Sequence, residues 1–374
     1  MASVKGVPHV DVDVEVGEDA ESNYHVYKAV CKKLLPGWRE LAVDDIQVSK
    51  VTGGISNALF KLTHETLAQP RTVVFRVNGV NTDYIIDRQV EMAIMEAVQP
   101  SGFGPKILGT FPTGRIEEFL PLRCLEPAEM GEDGWVPRIA ACLSEFHRQK
   151  LQGKCQDDTP FGRISKWINM AESFSFEDPK KKALFEKVDL NEWRREVAKV
   201  EKACAKTNSP KVLCHCDLLS GNVMVEPNAS ASAAKVSFID FEYADKAPRG
   251  FDWGNHFNEY AGFEGDYTRY PEGEAARRFL RAYLDAEHAA EAKKEASSDS
   301  ANGLSVSEEE LDRAVAEANV FALASHLYWG VWSLIQARYS AIEFDYLEYS
   351  TVRWNEYLRR RDEFLGEAER VFGK

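Results

Sequence analysis

The sequence predicts an α+β protein in two lobes, a β-rich N-terminal lobe and a mainly helical C-terminal one. Three observations predict it. Runs rich in β-branched and aromatic residues are confined to the region between about residues 24 and 115. Helical periodicity dominates beyond about residue 120. The 374 residues, 44% of them hydrophobic, are enough to bury a core large enough to divide in two.

In chain order, residues 1–22 are acidic and turn-rich and read as a flexible arm. The N-lobe follows over residues 23–117. IQVSKV, NALFKLTHE and RTVVFRVNG read as strands, and Gly53-Gly54 separates the first two as a hairpin turn would. One helix is expected in this lobe, DRQVEMAIMEAV, opened by Asp87 as N-cap, stopped by Pro100, with Val90, Ile94 and Ala97 on one face. Residues 118–122 form the boundary, and the texture of 123–374 is helical, as in VPRIAACLSEFHRQ and FALASHLYWGVWSLIQARY. Within it EHAAEAKKEASSDSANGL, residues 287–304, is polar and free of aromatics and reads as a disordered loop. The next helix starts at Ser307, with Glu310 completing a capping box.

Charge and composition exclude several function classes. A net charge of −14 leaves no basic face to track a phosphate backbone, so nucleic acid is not an expected partner. No segment approaches the roughly 18 uninterrupted apolar residues of a membrane helix, and the N-terminus lacks a signal-peptide core. Seven scattered cysteines in a large acidic chain suit reduced thiols and a cytoplasmic location. Cys214-His215-Cys216 has no second Cys/His cluster to complete a tetrahedral zinc site.

The stretch VLCHCDLLSGNVMV carries the chemistry. His215, Asp217 and Asn222 stand in the spacing H-x-D-x-x-x-x-N, and NVMVEP and AKVSFID, joined by NASASA, read as a β-hairpin. An antiparallel pair brings the start of its first strand beside the end of its second, so Asn222, Asp240 and the loop residue Asp217 arrive at one edge. Asn222 and Asp240 offer hard oxygen ligands to Mg²⁺, while Asp217 can orient an attacking hydroxyl and accept its proton, which is what phosphoryl transfer from a nucleotide needs. A turn shaped by Asp217 and Asn222, with Asp240 ending a strand, is the plain alternative.

CHCDLLSGN followed by FIDFEYADKAPRGFDWGNHFNEY resembles the Brenner motif and following signature of the choline/ethanolamine kinase family, over about residues 48 to 360. The resemblance implies a bilobal protein-kinase-like fold and a kinase that uses MgATP to phosphorylate the hydroxyl of ethanolamine or choline, the first step toward phosphatidylethanolamine or phosphatidylcholine. It makes Asp217 the base and Asn222 and Asp240 the metal ligands, with His215 in the same catalytic group. VTGGISN, holding Gly53, Gly54, Ser56 and Asn57, resembles the nucleotide loop; Arg76 matches the basic residue on the phosphates, Glu91 its ion-pair partner, and Glu118 to Leu120 the adenine hinge. Two departures stand out: Cys216 occupies a position where asparagine is usual, and DKAPRGFD lacks the tyrosines common there. No G-x-x-x-x-G-K-[ST] is present, which excludes a P-loop.

Trp329 and Trp332 stand at i, i+3 on one helix, with Phe344 and Tyr349 on the returning segment. Such spacing suits a core stripe. The family resemblance implies instead an aromatic cage for the amine, since ring faces attract cations, with Glu242, Tyr243 and Glu259 completing it. It also implies a homodimer. HFNEYAGFEGDYTRYP looks more like ethanolamine kinases and FPTGRIEEFLP more like choline kinases, so both amines are expected as substrates with ethanolamine slightly preferred. An aminoglycoside-type phosphotransferase on the same fold and a catalytically inactive nucleotide- or amine-binding module are the competing readings.

Overall fold

The structure is a computed structural model that describes residues 6–14, 20–51, 57–66, 69–151, 160–228, 230–231, 234–295, 305–340 and 342–373. The chain divides into two compact units, the first running through Pro121 and including Tyr339–Glu343, the second holding Leu122–Arg338 and Phe344–Lys374.

The first unit is built on α1 (Tyr24–Leu34), β1 (Gln47–Val51), β2 (Asn57–Thr63), β3 (Thr72–Asn78), α2 (Arg88–Val98), β4 (Ile107–Phe111) and β5 (Gly114–Glu118). Its strands form one antiparallel sheet in the order β1-β2-β3-β5-β4. Alternation decides which face is buried: Phe60 and Leu62 on β2 and Val73, Phe75 and Val77 on β3 point into one core. Opposite them α1 lays down Tyr27, Val30, Cys31 and Leu34, the i, i+3, i+4, i+7 stripe of an amphipathic helix. Tyr27 packs on Phe60 and Phe75 with ring centroids 4.6 and 4.8 Å apart. Full burial of a side chain of this size contributes roughly 1.5–3 kcal/mol. The sequence reading gives this lobe one helix; its described residues hold two α-helices, because the periodicity of YHVYKAVCKKL is as regular as that of α2. Asp87 caps α2 as expected, accepting from the N–H groups of Gln89 and Val90.

The flexible arm expected over residues 1–22 needs correction where it is described; residues 1–5 and 15–19 lie outside the described residues. Residues 8–10 run beside β4, where His9 bridges to Thr110, Val10 N–H donates to Thr110 O, and Thr110 N–H donates to Pro8 O. An edge strand with unpaired backbone groups recruits an extended segment, and the alternation of VDVDV supplies one: Val14 is buried, with Val10 and Val12 packed against the same core.

The second unit contains β6 (Arg123–Cys124), α3 (Val136–His147), α4 (Pro160–Ala171), α5 (Pro179–Phe185), α6 (Leu190–Lys206), β7 (Lys211–Cys214), β8 (Val223–Val225), β9 (Val236–Phe238), β10 (Asp245–Pro248), α7 (Arg249–Glu259), α8 (Glu274–Glu295), α9 (Glu308–Tyr339) and α10 (Tyr346–Phe372). The helix α9 is buried around its whole circumference from Val320 to Ala337, so it is the central element of this unit. The second close partner is α7, buried from Gly250 to Glu259. A Cβ on Gly254 would stand 2.3 Å from Ala322 N and 2.6 Å from Ala318 O, so only glycine lets α7 approach the α9 backbone this closely. Residues 287–295, expected in a disordered loop, are the last turns of α8. An alanine- and glutamate-rich run has strong helix propensity even without apolar anchors. Residues 296–304 lie outside the described residues.

Candidate active site

The catalytic stretch links two small sheets of the second unit. β7 pairs with β10, and β8 pairs with β9 with Val223 opposite Phe238. Ile239 N–H donates to Asn222 O at 3.1 Å, so the start of β8 and the end of β9 meet at the edge expected from the sequence. Asn222 Nδ2 donates to Asp217 O at 2.7 Å and to its Oδ2 at 3.2 Å, which turns the amide oxygen of Asn222 away from Asp217. Asp240 sits at φ 65°, a left-handed conformation that aspartate tolerates better than most residues.

His215 is wholly buried and both its ring nitrogens are committed to backbone: Nε2–H donates to Ile239 O at 2.9 Å and Nδ1 accepts from Asp217 N–H at 3.3 Å. Burial presses its pKa down against the pull of Asp252 and the Ile239 carbonyl. With both ring nitrogens engaged by the backbone, the imidazole ties the Ile239 carbonyl to the Asp217 N–H and so helps to position Asp217.

The backbone of the loop hangs on a residue the sequence reading passed over. Asp252, on α7, accepts from His215 N–H at 2.6 Å, Cys216 N–H at 2.7 Å and His147 Nε2–H at 2.9 Å. Tyr283 Oη in turn donates to His147 Nδ1 at 2.7 Å. His256, one turn further along α7, donates from Nδ1 to Leu218 O at 2.9 Å. The signal was available in GFDWGNHFNEY: a helix with polar residues on every side stays buried only when each finds a partner.

Electrostatically, the loop is an acidic pocket. Burial drives the Asp217 carboxyl well above the usual carboxylate range, and the neighbouring charges of Glu259, Asp240 and Glu242 raise it further; the Asn222 amide opposes them. Such a group is stabilised when cations arrive. The carboxylate of Asp240 and the amide oxygen of Asn222 are hard donors of the kind Mg²⁺ takes, so the donor set fits that ion.

The aromatic residues form one continuous wall. Trp329 and Trp332 meet edge to face at 5.2 Å, and Tyr243 lies 5.2 Å from the first and 6.4 Å from the second. Trp332 Nε1–H donates to Tyr243 Oη at 2.8 Å, and Trp329 Nε1–H to Asn255 Oδ1 at 2.7 Å. Tyr346 carries the wall from Trp332 to Phe344, which touches Tyr349 and Phe263. Both tryptophans are buried, with 5% exposure where their neighbours Val331, Leu334 and Ile335 have none. Glu242 is buried, and Glu259 is ion-paired to Arg353 at 3.0 Å. Phe263, Tyr346 and Arg353 are additions to the residues expected from sequence.

In the first unit, Gly53, Gly54 and Ser56 lie outside the described residues. Asn57 opens β2 and accepts from Arg88 Nη2 at 3.2 Å. Arg76 and Glu91 come within 3.7 Å, but tighter partners of Glu91 are Arg88 and Arg115, each at 2.8 Å. Arg76 and Arg115 face each other directly across β3 and β5, a like-charge pair held together by the carboxylate they share. Glu118 ends β5, and it and Leu120 are half-buried.

An antiparallel five-stranded unit, a helical unit and an acidic catalytic loop anchored on a buried helix together define a phosphotransferase of the protein-kinase-like fold. The choline/ethanolamine kinase family profile matches residues 48–358, and the chain belongs to that family, as CHCDLLSGN and its following signature imply. It is 37% identical over 333 residues to an Arabidopsis thaliana protein named "Probable ethanolamine kinase", covering 89% of this chain and 84% of that protein. It is 34% identical over 371 residues to the Dictyostelium discoideum "Probable ethanolamine kinase A", covering 98% and 99%. Among solved structures, the Plasmodium vivax ethanolamine kinase superposes with a TM-score of 0.77 at 28% identity, covering 93% of each chain.

Proposed function

We propose that the protein transfers the terminal phosphoryl group of ATP to the hydroxyl of ethanolamine, and more slowly to that of choline, with Asp217 as the base and Asn222 and Asp240 as the Mg²⁺ ligands. The observation that carries this reading is the placement of Asp217 among Asp240, Glu242 and Glu259, in the unit whose aromatic wall runs from Tyr243 to Phe263. Carboxylates crowded around a base make sense where two cations are to be bound, a metal with its nucleotide and an ammonium with its hydroxyl.

Asp217 needs only to orient the hydroxyl and take its proton as the bond to phosphorus forms, because the transferred group passes through a loose transition state stabilised mainly by positioning and charge. Bound Mg²⁺ supplies neutralisation of the phosphate oxygens. In this reading Arg76, fixed near Glu91, serves the nucleotide's phosphates, and the segment Glu118 to Leu120 its adenine. The preference for ethanolamine rests on the relatives named for it and on the mixture of carboxylates with ring faces, since a primary ammonium has N–H donors and a quaternary one has none. The same reading carries a homodimer and a cytoplasmic location, which light scattering and fractionation check.

The decisive experiment incubates the protein with labelled ATP, Mg²⁺ and a panel of amino alcohols and aminoglycosides, with kcat/KM measured for ethanolamine and choline. Turnover of both amines with ethanolamine ahead is expected. Activity confined to aminoglycosides, or none at all, overturns the reading. Trp332→Ala should cost choline more than ethanolamine, by about 1–2 kcal/mol for a desolvated cation–π contact; equal losses would make the tryptophan a packing residue.

A further inference from the structure

A pocket meant for a cation has little use for a guanidinium, yet one is buried in its wall. Arg353, on α10, is 2% exposed, and its Nη1 donates to Glu259 Oε1 at 3.0 Å and to Tyr349 Oη at 3.3 Å. Its Nη2 donates to Ser325 Oγ at 3.0 Å and Ser325 O at 3.4 Å. Three elements therefore fix this side chain: α7 through Glu259, α9 through Ser325, and α10 itself. Through Arg353, Glu259 is tied to Tyr349, whose ring packs against Phe344 and Phe263 of the aromatic wall, and its charge also raises the Asp217 carboxyl.

Resting on the amino-alcohol kinase reading above, we propose that Arg353 is a positioning residue that holds Glu259 as an oriented acceptor for a primary ammonium and thereby sets the discrimination between ethanolamine and choline. The argument separates two things a carboxylate offers a cation. Its charge attracts both amines alike, because each carries one positive charge. Its lone pairs serve only an amine with N–H donors, and only if they are held in the right direction. Pairing Glu259 with Arg353 offsets the charge, the part that does not discriminate, while the fixed geometry preserves the part that does. A free carboxylate on a flexible glutamate would do the reverse.

The test measures kcat/KM for ethanolamine and choline on the wild type, Arg353→Met, Arg353→Lys and Glu259→Gln, each with MgATP saturating. The ratio of the two values is independent of how much of a variant is folded, so it separates positioning from structural loss. Arg353→Met and Glu259→Gln should lower the ethanolamine-to-choline ratio about tenfold or more, the size of one charge-assisted hydrogen bond, and Arg353→Lys should restore part of it. A ratio unchanged within about twofold in Arg353→Met and Glu259→Gln, whatever happens to the melting temperature, overturns the proposal while leaving the kinase reading intact. No turnover of either amine by the wild type overturns both.

Discussion

Each unit of the molecule holds a carboxylate withdrawn from solvent, Glu91 buried in the first and Asp217 half-buried in the second, and the two are treated in opposite ways. Burial alone would push Glu91 up; the charges of Arg115, Arg76 and Arg88 more than reverse it and hold the carboxyl well below the usual carboxylate range. Asp217 is pushed up by burial and then pushed again by Glu259, Asp240 and Glu242. Glu91 sits in an ion cluster of both signs, with a second carboxylate, Glu117, taking up Arg115 at 2.6 Å. Among the described residues Asp217 has no cation of its own: of the carboxylates that raise it, Glu259 is paired with Arg353, and the excess of negative charge suits bound cations. The distinction lies in the neighbours, since the side chains are chemically almost the same, and a raised carboxyl among other carboxylates is the environment expected of the base proposed above.

The comparison breaks most sharply at Asp217→Asn. Removing the base should lower kcat by at least about 10²–10⁴-fold while nucleotide binding persists. The same variant should melt higher than wild type at neutral pH. A carboxyl whose folded pKa is raised contributes stability that is present below its unfolded pKa and lost as pH rises through the folded one. The wild type thus falls behind the asparagine variant from the ordinary carboxylate range upward, and the gap closes again in acid, where both side chains are neutral. Each kcal/mol relieved shifts Tm by about 2–4 °C in a domain of roughly 150–250 residues. Calorimetry across pH together with a kcat measurement checks both halves; near-normal turnover, or a lower Tm at neutral pH, contradicts the reading of this site.

Glu91→Gln should do the opposite. It leaves Arg76, Arg88 and Arg115 buried without their shared anion, and breaking such a set costs roughly 3–5 kcal/mol. Loss of stability should therefore accompany the loss of ATP affinity, and it should persist at high pH because the wild-type stabilisation, from a depressed carboxyl, disappears only in acid. Denaturant midpoints at several pH values measure it. A variant as stable as wild type would show the arginines to be paired elsewhere.

A smaller effect is expected at the hairpin edge. Asn222→Ala should raise the Mg²⁺ concentration needed for half-maximal rate, with rescue at high Mg²⁺, because one of few hard ligands is gone while Asp240 remains. Asp240→Ala should be rescued less, since it removes charge as well as a donor. Unchanged Mg²⁺ dependence in both would detach the metal from these residues.

How much of this contrast the sequence discloses depends on how local each part is. Asp217, Asn222 and Asp240 are legible because a single hairpin brings them together, and hairpin pairing follows from short-range pattern. Asp87 as a cap and Ser307 as the start of α9 are legible for the same reason. Arg115 and Arg88 escape notice because their value to Glu91 depends on β3 lying beside β5 and on where α2 settles, which no local pattern states. Asp252 and Arg353 escape it likewise: each acts on a residue 36 and 94 positions away, respectively. The packing of residues 8–14 and the helical end of α8 follow from the period-2 alternation of VDVDV and the helix propensity of EHAAEAKKE, two local patterns that the acidity of both stretches masks.

The finest test concerns Cys216, the position where asparagine is usual in the family. Its φ is 64°, in the left-handed region that costs an ordinary residue roughly 1–2 kcal/mol and that asparagine enters more readily. The loop accepts this conformation because both backbone N–H groups, of His215 and Cys216, turn toward Asp252 and place Asp217 at the edge beside Asn222. The unfavourable features around Asp217 are then of two kinds, crowded charge and a strained backbone, and the second should be removable without touching the first. Cys216→Asn is expected to raise Tm by up to about 2–4 °C, the effect of roughly 1 kcal/mol in a domain of this size, with kcat and the Mg²⁺ dependence unchanged. Cys216→Ala, which keeps a Cβ and gains no local hydrogen bonding, should not share the gain. If alanine stabilises as much as asparagine, the cost lies in packing the buried thiol beside Arg163 and Asp245 rather than in the backbone, and the strain at the catalytic loop is electrostatic alone.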